Sequence, residues 1–336
     1  MKLIFINRKT DRILSIEKVF NIVKRGLDIK LIYVDWFAPS KFNIPTSIFK
    51  NCIYYLYKRL FFSKRADIFH IKGSLHYLFF VLPKNRSVLT IHDCGKAYQH
   101  QGLKRWIAFM LWYKLPTKYF SHITVVSNQT KSELINITNC NPEKINVIYN
   151  PVDPDIIFVP KEFNKDKPII LHIGTTKNKN LDRLIMAIDK ISCKLIIVGK
   201  VENDIQKLLL QYKIEFEQYY NCSEKEIRQL YLRADIVSFV TIYEGFGMPI
   251  IEAQASGRIV LTSNIEPHKE IGGCGALYVN PFSIQEINSG IKEIISNDTV
   301  RENIINKGRI NVQRFQFDEI ANHYYALYEK LFKQLT

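Results

Sequence analysis

The strongest constraint on the fold is a regular alternation of short, β-branched runs with helical stretches. The runs form two series, one before and one after residue 150. Strands that alternate with helices build βαβ units, and these build parallel sheets with helices on both faces. Two series therefore predict two doubly wound α/β domains. The predicted strands are 2–6, 30–34, 67–71, 87–91, 122–126 and 145–149, then 168–173, 194–198, 235–240, 259–262 and 276–279.

A length of 336 residues also fits two domains of about 150 residues each. Residues 150–168 are rich in Pro, Asp and Lys, as expected of a linker. Ligands of open α/β sheets bind beyond the carboxyl ends of the strands, so we expect a site in a cleft between the domains. Residues 317–335 have the pattern of a long amphipathic helix.

Charge is distributed unequally along the chain. Residues 1–150 contain 24 Lys and Arg against 8 Asp and Glu, a net charge of +16, whereas residues 151–336 contain 23 against 24. A basic half points to an anionic partner, either a membrane surface or a nucleic acid. The sequence contains no recognisable nucleic-acid-binding module, so a nucleic-acid partner is not predicted.

Two segments of the basic half, 48–65 and 103–118, interleave aromatic residues with Lys and Arg. This pattern is typical of surfaces that dip into anionic lipid headgroups, and it predicts an anionic membrane surface as a partner. Aromatic helices also build protein cores, so both interpretations stay open for each segment.

The six cysteines are scattered, without a Cys-x-x-Cys pair or a nearby histidine that would suggest a metal site. They are typical of reduced, packed thiols, which favours the cytosol. The first ten residues, MKLIFINRKT, do not resemble a signal peptide, and no run of 18 apolar residues occurs. We therefore expect a cytoplasmic protein that is neither exported nor membrane-spanning, bound peripherally to the inner face of the membrane.

The most informative motif is YEGFGMPIIEAQASG, residues 243–257, which follows an apolar run of strand length. Gly245 and Gly247 allow positive φ and a close approach of the backbone to a ligand. A helix beginning next to the second glycine offers N–H donors and a partial positive charge to phosphate. Glu244 would lie at the rim of such a site, and Glu252 one turn into the helix could accept hydrogen bonds from hydroxyls.

This stretch resembles the Glu-x7-Glu signature of the family 4 retaining glycosyltransferases, which have the GT-B fold. The resemblance implies that Glu252 binds the ribose of a nucleoside-diphosphate sugar and that Glu244 lies against the transferred sugar. The alternative interpretation of the same residues is an ordinary strand-to-helix connection with two solvated glutamates. The predicted donor-binding residues are Glu252, Gly245, Phe246, Gly247, Met248, Pro249, Gly174, Lys177 and Lys200.

A second segment, HIGTTKNKNL at 172–181, places two lysines between a strand and a helix. Lys177 and Lys179 could neutralise phosphate oxygens and stabilise a leaving nucleoside diphosphate. The segment resembles the Gly-x4-Lys-Asn-Leu element of the same family, whose lysine binds the diphosphate. Lys179 occupies the position of that lysine. The arginine that many members carry here is absent, and a solvated basic loop is the alternative interpretation.

His92 and Asp93 end a strand of the first series and resemble the His-Asp pair of the family. The resemblance implies that His92 reaches the donor sugar, whereas a turn capped by Asp93 is the structural alternative. Together with Glu244 and Lys179, His92 completes the predicted catalytic set.

The acceptor side departs most from the family. Many members have a Gly-Gly loop after the first strand, but residues 7–15, NRKTDRILS, contain no glycine. Arg8, Lys9 and Arg12 could meet a phosphorylated acceptor, although exposed basic residues are usually only solvated.

The sequence thus predicts three parts: an acceptor domain over 1–152, a nucleotide-sugar-binding domain over 153–315, and a helix over 316–336 that crosses back to the first domain. The resemblance implies retaining hexosyl transfer to a glycan or lipid-linked acceptor, without a metal ion or other cofactor. The alternatives are a sugar-nucleotide epimerase, a phosphorylase, or a non-catalytic protein that binds sugar nucleotides. No oligomeric state is predicted.

Overall fold

The structure of the chain is a computed structural model. It describes residues 2–7, 15–27, 31–39, 45–65, 67–98 and 101–335. Its contacts divide into two compact units, and we describe each by itself. Unit 1 comprises Met1–Pro151 and Phe317–Thr336, and unit 2 comprises Val152–Gln316.

Unit 1 contains a parallel sheet of six strands in the order β2-β1-β3-β4-β5-β6. The buried strands are short β-branched and aromatic runs, which suit a sheet covered on both faces. The strands are β1 (Lys2–Asn7), β2 (Ile32–Phe37), β3 (Ile68–Ile71), β4 (Ser87–Ile91), β5 (His122–Val125) and β6 (Ile145–Val147). The helices are α1 (Ser15–Leu27), α2 (Pro45–Phe62), α3 (Gly102–Phe109), α4 (Leu115–Tyr119), α5 (Asn128–Thr138) and α13 (Phe317–Lys333).

The last helix, α13, is part of the core of unit 1. It packs against α1, where the rings of Phe20 and Tyr324 lie 5.6 Å apart. The buried hydroxyl of Tyr328 lies 2.6 Å from Nδ1 of His70 in β3, and Nε2 of the same imidazole lies 2.7 Å from the hydroxyl of Thr90. A hydrogen-bonded chain thus joins α13 to β3 and β4.

Unit 2 contains a second parallel sheet of six strands, in the order β12-β11-β10-β7-β8-β9. The strands are β7 (Ile169–Ile173), β8 (Lys194–Val198), β9 (Phe216–Tyr219), β10 (Ile236–Phe239), β11 (Ile259–Ser263) and β12 (Leu277–Val279). The helices are α6 (Leu181–Ala187), α7 (Asn203–Gln211), α8 (Glu224–Arg233), α9 (Met248–Ser256), α10 (His268–Gly272), α11 (Ile284–Ser296) and α12 (Asp298–Asn311).

The sequence prediction omitted β9. Its residues, FEQY, include two polar side chains and no β-branched residue, and it pairs only with β8 at the edge of the sheet. An edge strand needs less apolar surface than a central one, so hydrophobic patterning did not reveal it. All six cysteines lie in described positions and are free thiols.

Candidate functional site

The glycine motif and the lysine segment meet at one place in unit 2. The chain proceeds from β7 outward to β8 and β9, then returns to β10 on the other side of β7. The strand order therefore reverses between β7 and β10, and such a switch point leaves a crevice beyond the carboxyl ends of the two strands. Residues 174–180 follow β7, and residues 240–247 follow β10.

Gly247 forms the entry to α9. Its φ of 107° is favourable only for glycine, and a Cβ atom there would lie 3.1 Å from Cδ1 of Ile250. Helix α9 begins at Met248, with Pro249 in its first turn, and ends before Gly257 at a φ of 77°. The predicted strand, turn and helix are confirmed, and the first N–H groups of α9 lie at the switch point.

Lys179 and Glu244 form an ion pair. Their Nζ and Oε1 atoms are 2.6 Å apart, and about a fifth of each side chain is exposed. The side-chain amide of Asn178 donates to the same Oε1 atom at 3.2 Å and to the carbonyl of Tyr243 at 3.1 Å. The two loops are thus bound together, and the lysine predicted to bind diphosphate contacts the glutamate predicted to contact the sugar.

Gly174 makes room for that lysine. It has a φ of 95°, and a Cβ atom at this position would lie 2.9 Å from Cε of Lys179. The aliphatic stem of the lysine therefore crosses the glycine, and its ammonium lies 4.9 Å from the centre of the Phe239 ring. Backbone shape and a cation–π contact together position the charge.

Asn180 was not predicted to matter, yet it holds the loop in place. It adopts a left-handed conformation with a φ of 63° and is almost fully buried. Its side-chain amide donates to the carbonyls of Val240 at 2.9 Å and Pro281 at 2.7 Å. Asparagine tolerates this conformation better than most residues, which is the signal that the sequence offered.

Glu252 lies in the second turn of α9 and is 6% exposed. The buried hydroxyl of Tyr231, in α8, donates to its Oε2 atom at 2.7 Å. Burial, followed by the negative charge of Glu252, raises the pKa of Tyr231 well above its ordinary value, so the hydroxyl stays a donor. Tyr231 was missed because its partner lies on another helix.

Two buried histidines lie close to Lys179. Burial, followed by the lysine charge, lowers the pKa of His172 to about 4 and that of His268 to about 3. The ring nitrogens of His268 lie 3.2 Å from the hydroxyl of Thr241 and 3.0 Å from that of Thr262. Both imidazoles are therefore neutral at pH 7.

The other predicted donor-binding residues occupy varied positions. Lys177 begins the short helical turn Lys177–Lys179 and is exposed. Lys200 follows β8, is 64% exposed in its side chain and lies 3.4 Å from Glu202. The Phe246 ring is buried against Phe315, at 5.8 Å between centroids, which leaves only its backbone for ligand contact. Their roles in donor binding stay predictions, as does that of Gly245.

His92 follows β4 in unit 1. Its Nε2 atom lies 2.8 Å from the carbonyl oxygen of Lys72, and burial lowers its pKa below the ordinary 6.5. Asp93 accepts a hydrogen bond from the backbone of Gly95, as a turn-capping residue would. The predicted catalytic role of His92 is not tested by these contacts. Arg8, Lys9 and Arg12, which could meet a phosphorylated acceptor, lie outside the described residues.

One of the two aromatic segments is partly a core element. Trp112 is 7% exposed, and its indole donates to the carbonyl of Ser74, while Lys114 donates to the carbonyl of Thr138. These two side chains therefore follow the core interpretation that the sequence left open for this segment. In α3, just before them, Leu103 and Trp106 are exposed.

Within the part of the chain that the structure describes, no three His, Cys, Asp or Glu side chains are grouped as metal ligands would be. Over the same residues, none of the helices combines the length and apolarity required to cross a bilayer.

Two family models match the chain. The model for "Glycosyltransferase Family 4" matches residues 26–156, and that for "Glycosyl transferases group 1" matches residues 153–311. The O-antigen chain mannosyltransferase RfbU of Salmonella typhimurium is 31% identical over 220 residues, which cover 63% of this chain. The match spans only 62% of the length of that protein.

A second relative is aligned over most of the chain. It is the N,N'-diacetylbacillosaminyl-diphospho-undecaprenol alpha-1,3-N-acetylgalactosaminyltransferase of Campylobacter jejuni, 23% identical over 341 residues, covering 93% of this chain and 88% of that protein.

Solved structures show the same fold. Sucrose-phosphate synthase of Thermosynechococcus elongatus has a TM-score of 0.82 at 16% identity, over 99% of each chain. Anabaena Alr3699/HepE, in complex with UDP and glucose, has a TM-score of 0.77 at 15% identity, over 98% of this chain and 100% of that one. The two family models together match residues 26–311, so the chain belongs to family 4 of the glycosyltransferases, and the two parallel sheets with these structural likenesses show that it has the GT-B fold.

Proposed function

We propose that this protein is a retaining glycosyltransferase that moves a hexosyl unit from a nucleoside-diphosphate sugar to an acceptor hydroxyl. The observation that carries the proposal is the convergence of Lys179, Glu244 and the start of α9 at the switch point of unit 2. A cation and a row of N–H donors suit a diphosphate, and nearby carboxylates suit the hydroxyls of ribose and sugar. The Anabaena neighbour, solved with UDP and glucose, supports a donor of this class.

In the proposed reaction, the bond between the anomeric carbon and the diphosphate oxygen breaks, and a bond from that carbon to the acceptor oxygen forms on the same face. The acceptor proton passes to the departing diphosphate. Lys179 and the first N–H groups of α9 stabilise the negative charge that develops on the leaving group. Because this chain supplies that positive charge itself, we propose that the reaction needs no metal ion.

The other residues bind and orient the donor. Glu252 accepts hydrogen bonds from the ribose hydroxyls, and Tyr231 fixes the direction of its carboxylate. Glu244 and the amides of residues 245–247 hold the transferred sugar, and the family resemblance implies that His92 also binds the donor sugar. Lys177 and Lys200 add positive charge near the diphosphate.

We further propose that the acceptor is a growing glycan on a lipid carrier, used in assembly of a bacterial-type surface polysaccharide. The names of the Salmonella and Campylobacter relatives, an O-antigen mannosyltransferase and a transferase to a diphospho-undecaprenol sugar, support this class. Such an acceptor lies at a membrane, so the protein would act at the cytoplasmic face of an anionic bilayer.

A thermal-shift screen with UDP, GDP, ADP and their sugars tests donor binding, and the donor that raises the melting temperature most is then supplied with polyprenyl-diphosphate-linked sugars. We expect transfer with the anomeric configuration retained, read by NMR of the product. The absence of any stabilising nucleotide, or recovery only of epimerised donor, would overturn the proposal.

A further inference from the structure

Helix α2 presents a row of large apolar side chains to solvent. Six large apolar residues recur at spacings of three, four and one, which places them on one face of a helix. All six are exposed, from 36% for Leu56 to 70% for Phe61. We call this face the α2 stripe; it consists of Phe49, Ile53, Leu56, Tyr57, Leu60 and Phe61.

The inward face of α2 is mixed: Ile48, Cys52 and Tyr54 pack against the hydrophobic core, and hydrogen-bonded polar groups lie beside them. Ser47, Asn51 and Tyr55 are buried. The amide of Asn51 donates to the hydroxyl of Tyr77 at 2.8 Å, and the hydroxyl of Tyr55 donates to the carbonyl of Asn7 at 3.0 Å. These bonds fix the rotation of the helix, and a fixed rotation keeps the stripe pointing outward.

Basic residues accompany the stripe along its own segment of the chain. Residues 45–65 contain five Lys and Arg, at positions 50, 58, 59, 64 and 65, and no Asp or Glu. Lys50 and Lys64 are exposed, whereas Arg59 bends inward and donates to the carbonyl of Val81. The surface therefore joins a continuous apolar strip to a positive border.

Unit 2 shows no comparable surface among its described residues. Apart from the neighbours Ile157 and Phe158, its large exposed apolar side chains lie on separate parts of the chain, as scattered surface residues usually do. They are Ile157, Phe158, Leu210, Tyr220, Phe282 and Ile310. A contiguous patch of aromatic and aliphatic residues on a single helix instead marks an interaction site.

We propose that the α2 stripe docks unit 1 on an anionic bilayer, with the helix lying in the plane of the interface. Charge complementarity selects this occupant, because a second copy of this chain would bring the same exposed cations, Lys50, Lys64 and Arg65, against each other, whereas anionic headgroups would neutralise them. Leu60 and Phe61 enter the acyl boundary, Tyr57 lies at headgroup depth, and Lys50 and Lys64 contact phosphates. The inference rests on the proposed function only for the purpose of the docking, which is access to a lipid-linked acceptor.

The experiment is co-sedimentation of the full chain with phosphatidylglycerol and with phosphatidylcholine vesicles at low salt. We expect binding to the anionic vesicles alone, and loss of about a hundredfold in partitioning for the variant Phe49→Ser, Leu60→Ser, Phe61→Ser. The matched control removes three exposed apolar residues of unit 2, by Ile157→Ser, Leu210→Ser and Ile310→Ser, and should bind as the wild type does.

A second measurement does not depend on loss of binding. Tyr57→Trp places a fluorophore on the stripe, and Leu210→Trp places one on unit 2. Brominated phosphatidylglycerol should quench the first variant and leave the second at the level of the wild type. Equal quenching of both would overturn the orientation proposed here.

Three further outcomes would each refute the α2 stripe as a membrane surface. These are wild-type protein that stays in the supernatant, loss of binding only when Leu103 and Trp106 of α3 are replaced by Ser, and a dimer seen by sedimentation that the α2 variant abolishes while vesicle binding persists. Donor hydrolysis is measured in parallel. An α2 variant that hydrolyses donor but does not bind vesicles supports docking, whereas a wild type that binds vesicles and ignores every donor refutes the proposed function alone.

Discussion

The two units use their lysines differently near the switch points of their sheets. In unit 2, Lys179 is partly exposed and is held by Glu244 at 2.6 Å. In unit 1, where the strand order reverses between β1 and β3, Lys24 and Lys72 are buried on either side of Asp35, at 2.5 and 3.8 Å. One fold thus offers one cation to solvent and encloses two others.

Aromatic rings account for the enclosure. The ammonium of Lys24 lies 5.0 Å from the Phe5 ring centre and 5.2 Å from that of Tyr33, and that of Lys72 lies 5.4 Å from the Phe20 ring centre. In unit 2 a single ring, Phe239, covers one side of Lys179. From this comparison we expect the accessible Lys179 to bind ligand and the enclosed Lys24 and Lys72 to have a structural role. Loss of Lys179 in unit 2 should therefore reduce catalysis, whereas loss of Lys72 in unit 1 should change the stability of the fold.

The largest effect is expected for Lys179→Ala. Removing one preorganised donor from a developing charge costs about 2.7–4 kcal/mol, so turnover should fall by about 10²–10³-fold. Steady-state kinetics with the identified donor would measure it. Lys177→Ala, two residues away and exposed, is the matched control and should lose much less; equal and small losses would show that this loop is merely solvated.

Glu252→Ala should weaken nucleotide binding as well as turnover. A hydrogen bond to a charged group contributes about 1.5–3 kcal/mol, equivalent to about 10–150-fold in the dissociation constant. Tyr231→Phe removes only the hydroxyl that orients the carboxylate, so a loss of about 1 kcal/mol, or fivefold, is expected. Isothermal titration would contradict the site if both variants bound the nucleotide as tightly as the wild type does.

In unit 1, Lys72→Met should alter stability rather than ligand binding. Burial, then the neighbouring charge of Lys24, lowers the pKa of Lys72 from 10.5 to about 8. Between about pH 8 and 10 the unfolded chain therefore binds more protons than the folded one, so wild-type stability should rise with pH across this window. The variant should lose that rise and gain about 1–2 kcal/mol in unfolding free energy at pH 7.

Urea denaturation at pH 7, 8, 9 and 10 would measure both effects. Lys84→Met, at an exposed site of the same unit, should retain the wild-type pH dependence. If Lys72→Met instead reduced nucleotide affinity, the contrast between the units would fail.

The smallest effect has the opposite sign. Glu244 competes with a diphosphate for Lys179, and a partly exposed ion pair contributes only about 0.2–1 kcal/mol. Glu244→Gln should therefore tighten binding of the nucleoside diphosphate by about two- to fivefold. Turnover should fall, because the carboxylate that contacts the transferred sugar is removed. Competition titration with UDP, GDP or ADP checks this, and weaker binding would show that the pair does not oppose the ligand.

Local sequence predicted the parts of the site that local geometry determines. Gly247 and Pro249 define a turn and a helix start through their own backbones, and Glu252 follows from its distance to that start. The supports were not predictable, because they depend on distant partners. Asn180 bonds to the carbonyl of Pro281, 101 residues away, and Tyr231 reaches a neighbouring helix.

The aromatic segments show the same limit from the other direction. Alternating aromatic and basic residues predicted an interface equally for α2 and for the segment containing Trp112. Only the packing distinguishes them. The buried indole of Trp112 donates to a backbone carbonyl, whereas most of the Phe61 ring is exposed to solvent. For the fold, the alternation of β-branched runs with helical stretches was sufficient, except for the polar edge strand β9.

The position of α13 has a consequence for synthesis on the ribosome. Residues 152–316 form unit 2 without interruption, whereas unit 1 requires α13, whose Tyr328 bonds to His70 across 258 residues of chain. Domains usually complete their folding in the order in which they leave the exit tunnel. Here we expect the reverse order, in which unit 2 reaches its native structure first. Unit 1, although synthesised earlier, keeps its α13-facing surface uncovered until residues near 333 have left the tunnel.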